Sequence, residues 1–220
     1  CNAKGVLFFS YRLRKSVAES IGKKYPSVMM MTGVNAEGMT NINLDEEAMM
    51  RKTISHLLLQ GKKNLALING SMVYERFVKV KEIYESLITE FGSSIESSQA
   101  MSIDTNYFST SSSIVAEHML SDENPPDAFI AMTDIYAVGV LRSAFKLGLS
   151  VPGDIAVIGH DNSSICHVTN PPLTVYDVPA AEIGHMAVNY LVELINNPLA
   201  ASRDILIDCD LIIRDSSRVQ

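Results

Sequence analysis

The chain has 220 residues, of which 47% are hydrophobic and 20% are charged, and its formal net charge is −7. This composition is typical of a globular protein of one or two domains, and it excludes a basic nucleic-acid surface or a polybasic membrane patch as a dominant feature. The three cysteines at positions 1, 166 and 209 predict neither a disulfide framework nor a zinc site. No apolar run approaches the ~18 residues of a membrane span, and no secretory signal is visible. We therefore expect a cytoplasmic protein with no membrane partner.

Apolar runs and helical periodicities alternate along the first half of the chain. Strands are predicted at 5–9, 28–31, 64–70 and 101–103, and helices at 12–24, from Asp45 to Gly61, at 76–91 and around 114–119. Residues 32–43, between the second strand and the helix that follows Asp45, are predicted as a loop.

The same alternation continues in the second half. Strands or extended runs are predicted at 128–132, 155–158, 173–178, 205–207 and 211–213, and helices begin at Thr133 and at Pro179. Strands that alternate with helices predict an α/β fold with mostly parallel, doubly wound sheets.

The stretch from Gly148 to Asn162 is the most informative part of the sequence. Gly148 can end a helix with a positive φ, and the apolar run 155–158 is typical of a strand buried on both faces. Asp161 and Asn162 follow at the carboxyl end of that strand, where open α/β sheets bind ligands. Two roles remain open for Asp161, namely hydrogen bonding to a ligand or capping a short helix after Asn162.

Motifs typical of enzymes and metal sites are missing from the sequence. It contains no Gly-x-Ser-x-Gly elbow, no phosphate-binding Gly-Lys-Ser/Thr loop and no Gly-x-Gly-x-x-Gly after a strand. It also lacks the His-x-x-His and Cys-x-x-Cys spacings that favour a metal. We predict neither an enzyme nor a cofactor.

Several stretches carry a family likeness. They are Pro126-Asp127-Ala128-Phe129 through Asp134, Gly148-Leu149-Ser150-Val151-Pro152 through Gly159-His160-Asp161-Asn162, Pro171-Pro172-Leu173-Thr174, and Leu211-Ile212-Ile213-Arg214-Asp215-Ser216. In this order and spacing they resemble the effector-binding domain of the LacI/GalR family of bacterial transcriptional regulators. The likeness is most specific over residues 126–216.

The resemblance implies a two-lobed, periplasmic-binding-protein-like fold, with a mostly parallel doubly wound sheet flanked by helices in each lobe. It assigns residues 1–60 plus 177–198 to an incomplete N-terminal lobe and residues 61–176 plus 199–220 to a C-terminal lobe. It also implies a helix-turn-helix domain that is absent from this chain.

The expected function is to sense a small sugar-like effector and to dimerise. The domain would belong to a repressor that reaches operator DNA through the absent helix-turn-helix domain. The expected partners are thus the effector, operator DNA and a second copy of the chain. The alternative is a periplasmic sugar-binding protein that feeds a transporter.

The resemblance also implies site residues. It places Asp161, Asn162 and Asp134 at an effector cleft, although Asp134 also stands where it could cap the helix after it. Tyr107 matches a position where an aromatic ring stacks on the effector, and the alternative is an ordinary loop aromatic.

An arginine usually contacts the effector in this family, and here its position aligns with Lys79. Either Lys79 takes that role or Arg76 does, one turn earlier on the same helix face. A lysine lacks the planar hydrogen-bonding fork of an arginine. Both residues could also belong to a solvated helix face.

Overall fold

The protein is described from a computed structural model that covers residues 3–103, 109–197 and 199–218. The strands are β1 (Val6–Phe8), β2 (Ser27–Met30), β3 (Thr40–Leu44), β4 (Asn64–Asn69), β5 (Ser97–Ser102), β6 (Ala128–Ala131), β7 (Ala156–Ile158), β8 (Val175–Asp177), β9 (Asp204–Ile207) and β10 (Asp210–Ile212). The α-helices are α1 (Lys15–Gly22), α2 (Glu46–Leu59), α3 (Glu75–Phe91), α4 (Ser109–Leu120), α5 (Asp134–Leu147) and α6 (Ala180–Asn196).

Two parallel sheets organise the molecule. The first has the strand order β1-β2-β3-β9 and the second has the order β5-β4-β6-β7, and every pairing within both is parallel. A separate antiparallel pair joins β8 to β10. We call the first sheet with α1 and α6 the first lobe, and the second sheet with α3, α4 and α5 the second lobe. The predicted α/β, two-lobed fold with mostly parallel sheets is confirmed.

Helices cover the second sheet on both faces. Phe129 and Val157 project from the sheet into a core shared with α4 and α5. Leu65 and Leu67 project from the opposite face into a core shared with α3. Because side chains alternate between the faces of a strand, a sheet covered on both sides needs continuous apolar runs, as the sequence has at 65–68 and 128–132.

Helix α2 lies between the lobes and packs against both of them. Met49 belongs to the core around β2, β3 and α6, whereas Met50, Ile54 and Leu57 belong to the core between α3 and the second sheet. Asp45 caps this helix as predicted, since its carboxylate accepts the Ala48 N–H at 3.0 Å. The start of α2 is therefore held at the junction of the two lobes.

The predicted loop at 32–43 is wrong at its end, because β3 begins at Thr40. Polar Asn41 and Asn43 alternate with Ile42 and Leu44, yet all four are buried. The Asn43 carboxamide oxygen accepts the N–H groups of Thr32 and Gly33 at 3.0 and 2.9 Å. Internal hydrogen bonds thus allow asparagine side chains inside a central strand, where their polarity suggested solvent exposure.

The sequence-based lobe boundaries need a correction near the end of the chain. Residues 199–220 were assigned to the second lobe, but β9 pairs with β3 in the first sheet, with Ile205 opposite Ile42. The chain then returns to the second lobe, where the Ser216 carbonyl accepts the Val157 N–H at 2.8 Å. Strand propensity alone could not show which sheet β9 joins, because that choice depends on contacts with distant strands.

Candidate functional site

The candidate site lies between the lobes, where the loops after several parallel strands meet. A cavity of about 270 Å³ opens there, and we call it the interlobe cavity. Its lining combines aromatic, aliphatic and charged side chains, namely Tyr11 from the first lobe and Arg76, Phe77, Met132, Thr133, Ile135 and Asp161 from the second. The carboxyl ends of strands in open α/β sheets are the usual place for ligands.

Asp161 is the predicted site residue that the structure places most directly at the interlobe cavity. Its side chain is half exposed and lines the cavity, while its backbone N–H donates to Asp134 Oδ1 at 3.0 Å. The short 3-10 helix that follows begins after Ser163, so Asp161 does not cap it. The carboxylate is therefore available to accept hydrogen bonds from ligand hydroxyls.

Asp134 supports the loop that carries Asp161. It is 1% exposed, and its Oδ1 accepts the backbone N–H groups of His160 and Asp161 at 3.0 Å each. Its Oδ2 accepts the N–H and the hydroxyl of Ser163 at 2.8 and 2.7 Å. The helix cap is Thr133, whose Oγ1 accepts the Tyr136 N–H at 3.2 Å. The predicted capping role of Asp134 is thus wrong, and its contacts give it a role in positioning the loop; a direct ligand contact of Asp134 stays a prediction.

These hydrogen bonds also keep the Asp134 carboxyl ionised. Burial alone would raise its pKa, but the Cys166 thiol and the N–H donors of Asp161 and Ser163 lower the pKa below its usual value. Burial, together with the hydrogen bond to Asp134, raises the pKa of the Cys166 thiol to about 12. The thiol is therefore protonated and unreactive at neutral pH.

Arg76, rather than Lys79, is at the interlobe cavity. Arg76 lines it, whereas the exposed Lys79 lines a separate surface groove beside Glu47 and Glu82. The aliphatic part of Arg76 packs on Gly33 of the first lobe, where a Cβ would come within 2.3 Å of the Arg76 Cγ. Gly33 also has a φ of +78°, so both sterics and backbone conformation favour glycine there.

Glu46 joins the lobes through a buried hydrogen-bonded network that sequence analysis missed. Glu46 Oε1 accepts from Arg76 Nε and Nη2 at 3.0 and 2.6 Å, and Glu46 Oε2 lies 3.3 Å from His160 Nε2. The other ring nitrogen, His160 Nδ1, lies 3.1 Å from Asp161 Oδ1. We call these four residues the Glu46 network. It links the first turn of α2 to the wall of the interlobe cavity.

The network shifts the pKa values of its buried members in opposite directions. Burial disfavours the charged form of Glu46, but Arg76 and His160 lower its pKa to about 2. Burial also disfavours a charged His160, but its hydrogen bonds to Asp161 and Glu46 raise its pKa to about 9. At neutral pH His160 is therefore a cation that donates from both ring nitrogens.

Asn162 does not contribute its side chain to the interlobe cavity. It has a φ of +51°, a conformation that asparagine tolerates better than most residues. Its amide nitrogen donates to Asp177 Oδ1 and its oxygen accepts from Arg214 Nη2, both at 2.9 Å. Asn162 thus ties the loop to chain segments that cross between the lobes. The remaining predicted residue, Tyr107, lies outside the described residues.

Comparison with known proteins places this architecture in a family. Residues 54–217 match the model of the periplasmic binding protein-like domain. The chain belongs to the periplasmic binding protein-like domain family. Two relatives are a probable HTH-type transcriptional repressor, ExuR, from Bacillus subtilis and the catabolite control protein A from Priestia megaterium. The first is 26% identical and covers 96% of this chain, and the second is 25% identical and covers 97%.

The chain spans 60% and 64% of the lengths of these two relatives. Among solved structures, an uncharacterised protein from Actinobacillus succinogenes superposes with a TM-score of 0.89 at 26% identity, over 98% of this chain and 79% of that one. A LacI family regulator from Arthrobacter sp. FB24, solved in complex with lactose, gives a TM-score of 0.82 at 20% identity, over 99% and 79%. The resemblance to the effector-binding domains of LacI/GalR regulators is confirmed, and these names favour a regulator over the transporter alternative.

Two features are absent from the described residues of the chain. None of its helices within residues 3–103, 109–197 and 199–218 combines the length and apolarity needed to cross a bilayer. The same residues contain no group of three or more His, Cys, Asp or Glu side chains placed to hold a metal ion.

Proposed function

We propose that this domain senses a small, hydroxyl-rich metabolite, a sugar or a close relative, that binds in the interlobe cavity. The observation that carries the proposal is the position of the Asp161 carboxylate beside Arg76, with the rings of Tyr11 and Phe77 on the same cavity. Carboxylates accept hydrogen bonds from hydroxyl groups, and aromatic rings pack on the apolar faces of sugars. A volume of about 270 Å³ lies near the lower end of small-molecule pockets, which favours a small ligand.

The effector would act by linkage between lobe angle and DNA affinity. A ligand that contacts Tyr11 of the first lobe and Asp161 of the second favours the lobe arrangement in which both contacts form. A DNA-binding segment joined to the domain would then gain or lose operator affinity, with coupling typically of about 1–3 kcal/mol. The repressor names of the relatives support this role for the whole protein. Such a regulator acts in the cytoplasm and is not an enzyme.

The domain is also proposed to form a homodimer. Ile114, Phe145 and Val168 are large apolar side chains of the second lobe that are 66%, 87% and 79% exposed. Contiguous exposed apolar patches mark interaction surfaces, and we propose that these three side chains belong to the dimer interface. Sedimentation velocity checks this proposal, since Phe145→Glu is expected to shift the chain from dimer to monomer.

The test of the effector site is calorimetric titration of the chain with a panel of free sugars, starting with glucose, galactose, ribose and lactose. Asp161→Ala is expected to weaken binding of a sugar found in this way at least tenfold. Asp122→Ala is the control, because Asp122 is an exposed loop residue that accepts a hydrogen bond from Gln99. Unchanged affinity in Asp161→Ala would show that the ligand binds elsewhere.

A further inference from the structure

One carboxylate beside the candidate site comes from α2, which lies between the lobes, and it is directed at Arg76 instead of at solvent. We propose that Glu46 determines the charge specificity of the site: it occupies the Nε–Nη2 edge of Arg76 and offsets its positive charge, so the site takes uncharged polyhydroxy ligands and rejects their carboxylate and phosphate derivatives. This inference rests on the proposed function and adds the chemical class of the effector.

The first argument is the geometry of Arg76. One edge of its guanidinium, formed by Nε and Nη2, can pair with an anionic ligand, and both of these nitrogens donate to Glu46 Oε1 at 3.0 and 2.6 Å. The Arg76 and Glu46 side chains are only 14% and 10% exposed. A ligand anion at this edge would have to displace a buried carboxylate that belongs to the protein. Elsewhere on the guanidinium, a ligand anion would meet a positive charge that Glu46 already offsets.

The second argument is the charge of the surrounding groups. Arg76, Glu46, His160 and Asp161 are linked in this order, so that cations and anions alternate along the Glu46 network. The member of the network that is half exposed and lines the interlobe cavity is the anion Asp161. It attracts ligand hydroxyls and repels a second negative charge.

The third argument concerns a second cation near Tyr11. Arg12 is exposed, and its guanidinium lies 5.7 and 5.8 Å from the ring centres of Tyr11 and Tyr74. Among the described residues, those that line the interlobe cavity include Tyr11 and do not include Arg12. Within that part of the chain, the charged side chains at the cavity are therefore Arg76, which is paired with Glu46, and Asp161.

The experiment compares matched ligands that differ in charge. The full chain is titrated by calorimetry with galactose, galacturonate and galactose 1-phosphate, and in parallel with the corresponding glucose and ribose series. The wild-type chain is expected to bind a neutral member at least about tenfold more tightly than its acid and its phosphate ester. Glu46→Gln keeps the side-chain shape, removes the negative charge and is expected to reduce that preference about tenfold.

Glu47→Gln is the matched control, because Glu47 is the next residue, is largely exposed and pairs with Arg51 outside the interlobe cavity. It is expected to leave the preference unchanged. If the wild-type chain binds an acid or a phosphate ester more tightly than the neutral sugar, the specificity role of Glu46 is overturned, whereas the proposed sugar-sensing function is not. The same conclusion follows if folded Glu46→Gln, checked by thermal unfolding, keeps the wild-type preference. A panel in which no compound binds overturns both proposals.

Discussion

The two lobes share a parallel α/β plan but differ in how completely they cover their sheets. Strands β4, β6 and β7 of the second sheet are almost entirely buried, and β7 is so although it is an outer strand. In the first sheet the outer strands β1 and β9 carry Leu7 and Leu206, which are 37% and 60% exposed. The second lobe also supplies most of the interlobe cavity lining.

This difference suggests separate roles for the two lobes at the proposed site: the second lobe holds the site in shape, and the first lobe responds to the ligand. The second lobe holds the loop of Asp161 on the buried Asp134 carboxylate, which makes it a preorganised binding surface. The first lobe adds Tyr11 to the cavity lining, and α2, which lies between the lobes, adds Glu46 to the network behind it. Ligand binding and lobe closure can therefore be coupled through few contacts from the less enclosed lobe.

Truncation of a leucine in each lobe should show the largest contrast. Leu67 in β4 is fully buried, so Leu67→Ala is expected to lower the free energy of unfolding by about 3–5 kcal/mol. Leu206→Ala in β9 removes a side chain that is 60% exposed, and a change below about 1 kcal/mol is expected. Urea denaturation followed by circular dichroism measures both, and equal losses would contradict the proposed division between the lobes.

Removal of the Asp134 charge should loosen the preorganised loop. Asp134→Asn replaces one of the two acceptor oxygens by an NH2 donor, so it loses two of the four hydrogen bonds that Asp134 accepts, together with the charge, and is expected to destabilise the chain by about 3 kcal/mol. Because folding lowers the pKa of Asp134, its contribution is present above the unfolded pKa and is lost as pH falls through the folded value. Urea titrations at pH 7 measure the change, with exposed Asp122→Asn as the control.

The link between the lobes should respond to alkaline pH. Folding raises the pKa of His160 from 6.5 to about 9, so its stabilising effect is complete below pH 6.5 and is lost as pH rises through about 9. We expect a loss of up to about 3 kcal/mol over this range. Unfolding free energies at pH 6, 7.5 and 9 measure it. His160→Gln should flatten this slope and exposed His167→Gln should not, and a slope that survives in His160→Gln would assign it to another group.

The smallest expected effect separates the two basic residues of α3. Arg76→Lys loses the paired donors to Glu46 and is expected to cost about 1–2 kcal/mol in unfolding free energy. Lys79 is exposed and lies away from the interlobe cavity, so Lys79→Ala is expected to change the unfolding free energy by no more than about 0.5 kcal/mol. Thermal unfolding measures both changes. A larger loss of stability in Lys79→Ala than in Arg76→Lys would show that Lys79, and not Arg76, makes the stabilising contacts of α3.

Much of the fold and one part of the site were predictable from local patterns. Apolar runs at 65–68 and 155–158 predicted buried strands, and Gly148 ends α5 with a φ of +70°. Asp161 was predictable as well, because a carboxylate directly after a buried strand must lie at the carboxyl edge of the sheet. Glu46 could have been found by the same signal, since it follows β3, but the polar asparagines concealed that strand.

Local sequence patterns were therefore enough to predict most strands and helices, the parallel α/β class and the loop that contains Asp161, because each depends on neighbours a few residues away. Only the tertiary structure decided that β9 joins the first sheet, that Asp134 supports the loop, and that Glu46 pairs with Arg76 and His160. Those contacts join residues 26 to 163 positions apart in the chain. The packing of two lobes, and not any local pattern, brings such residues within hydrogen-bonding distance.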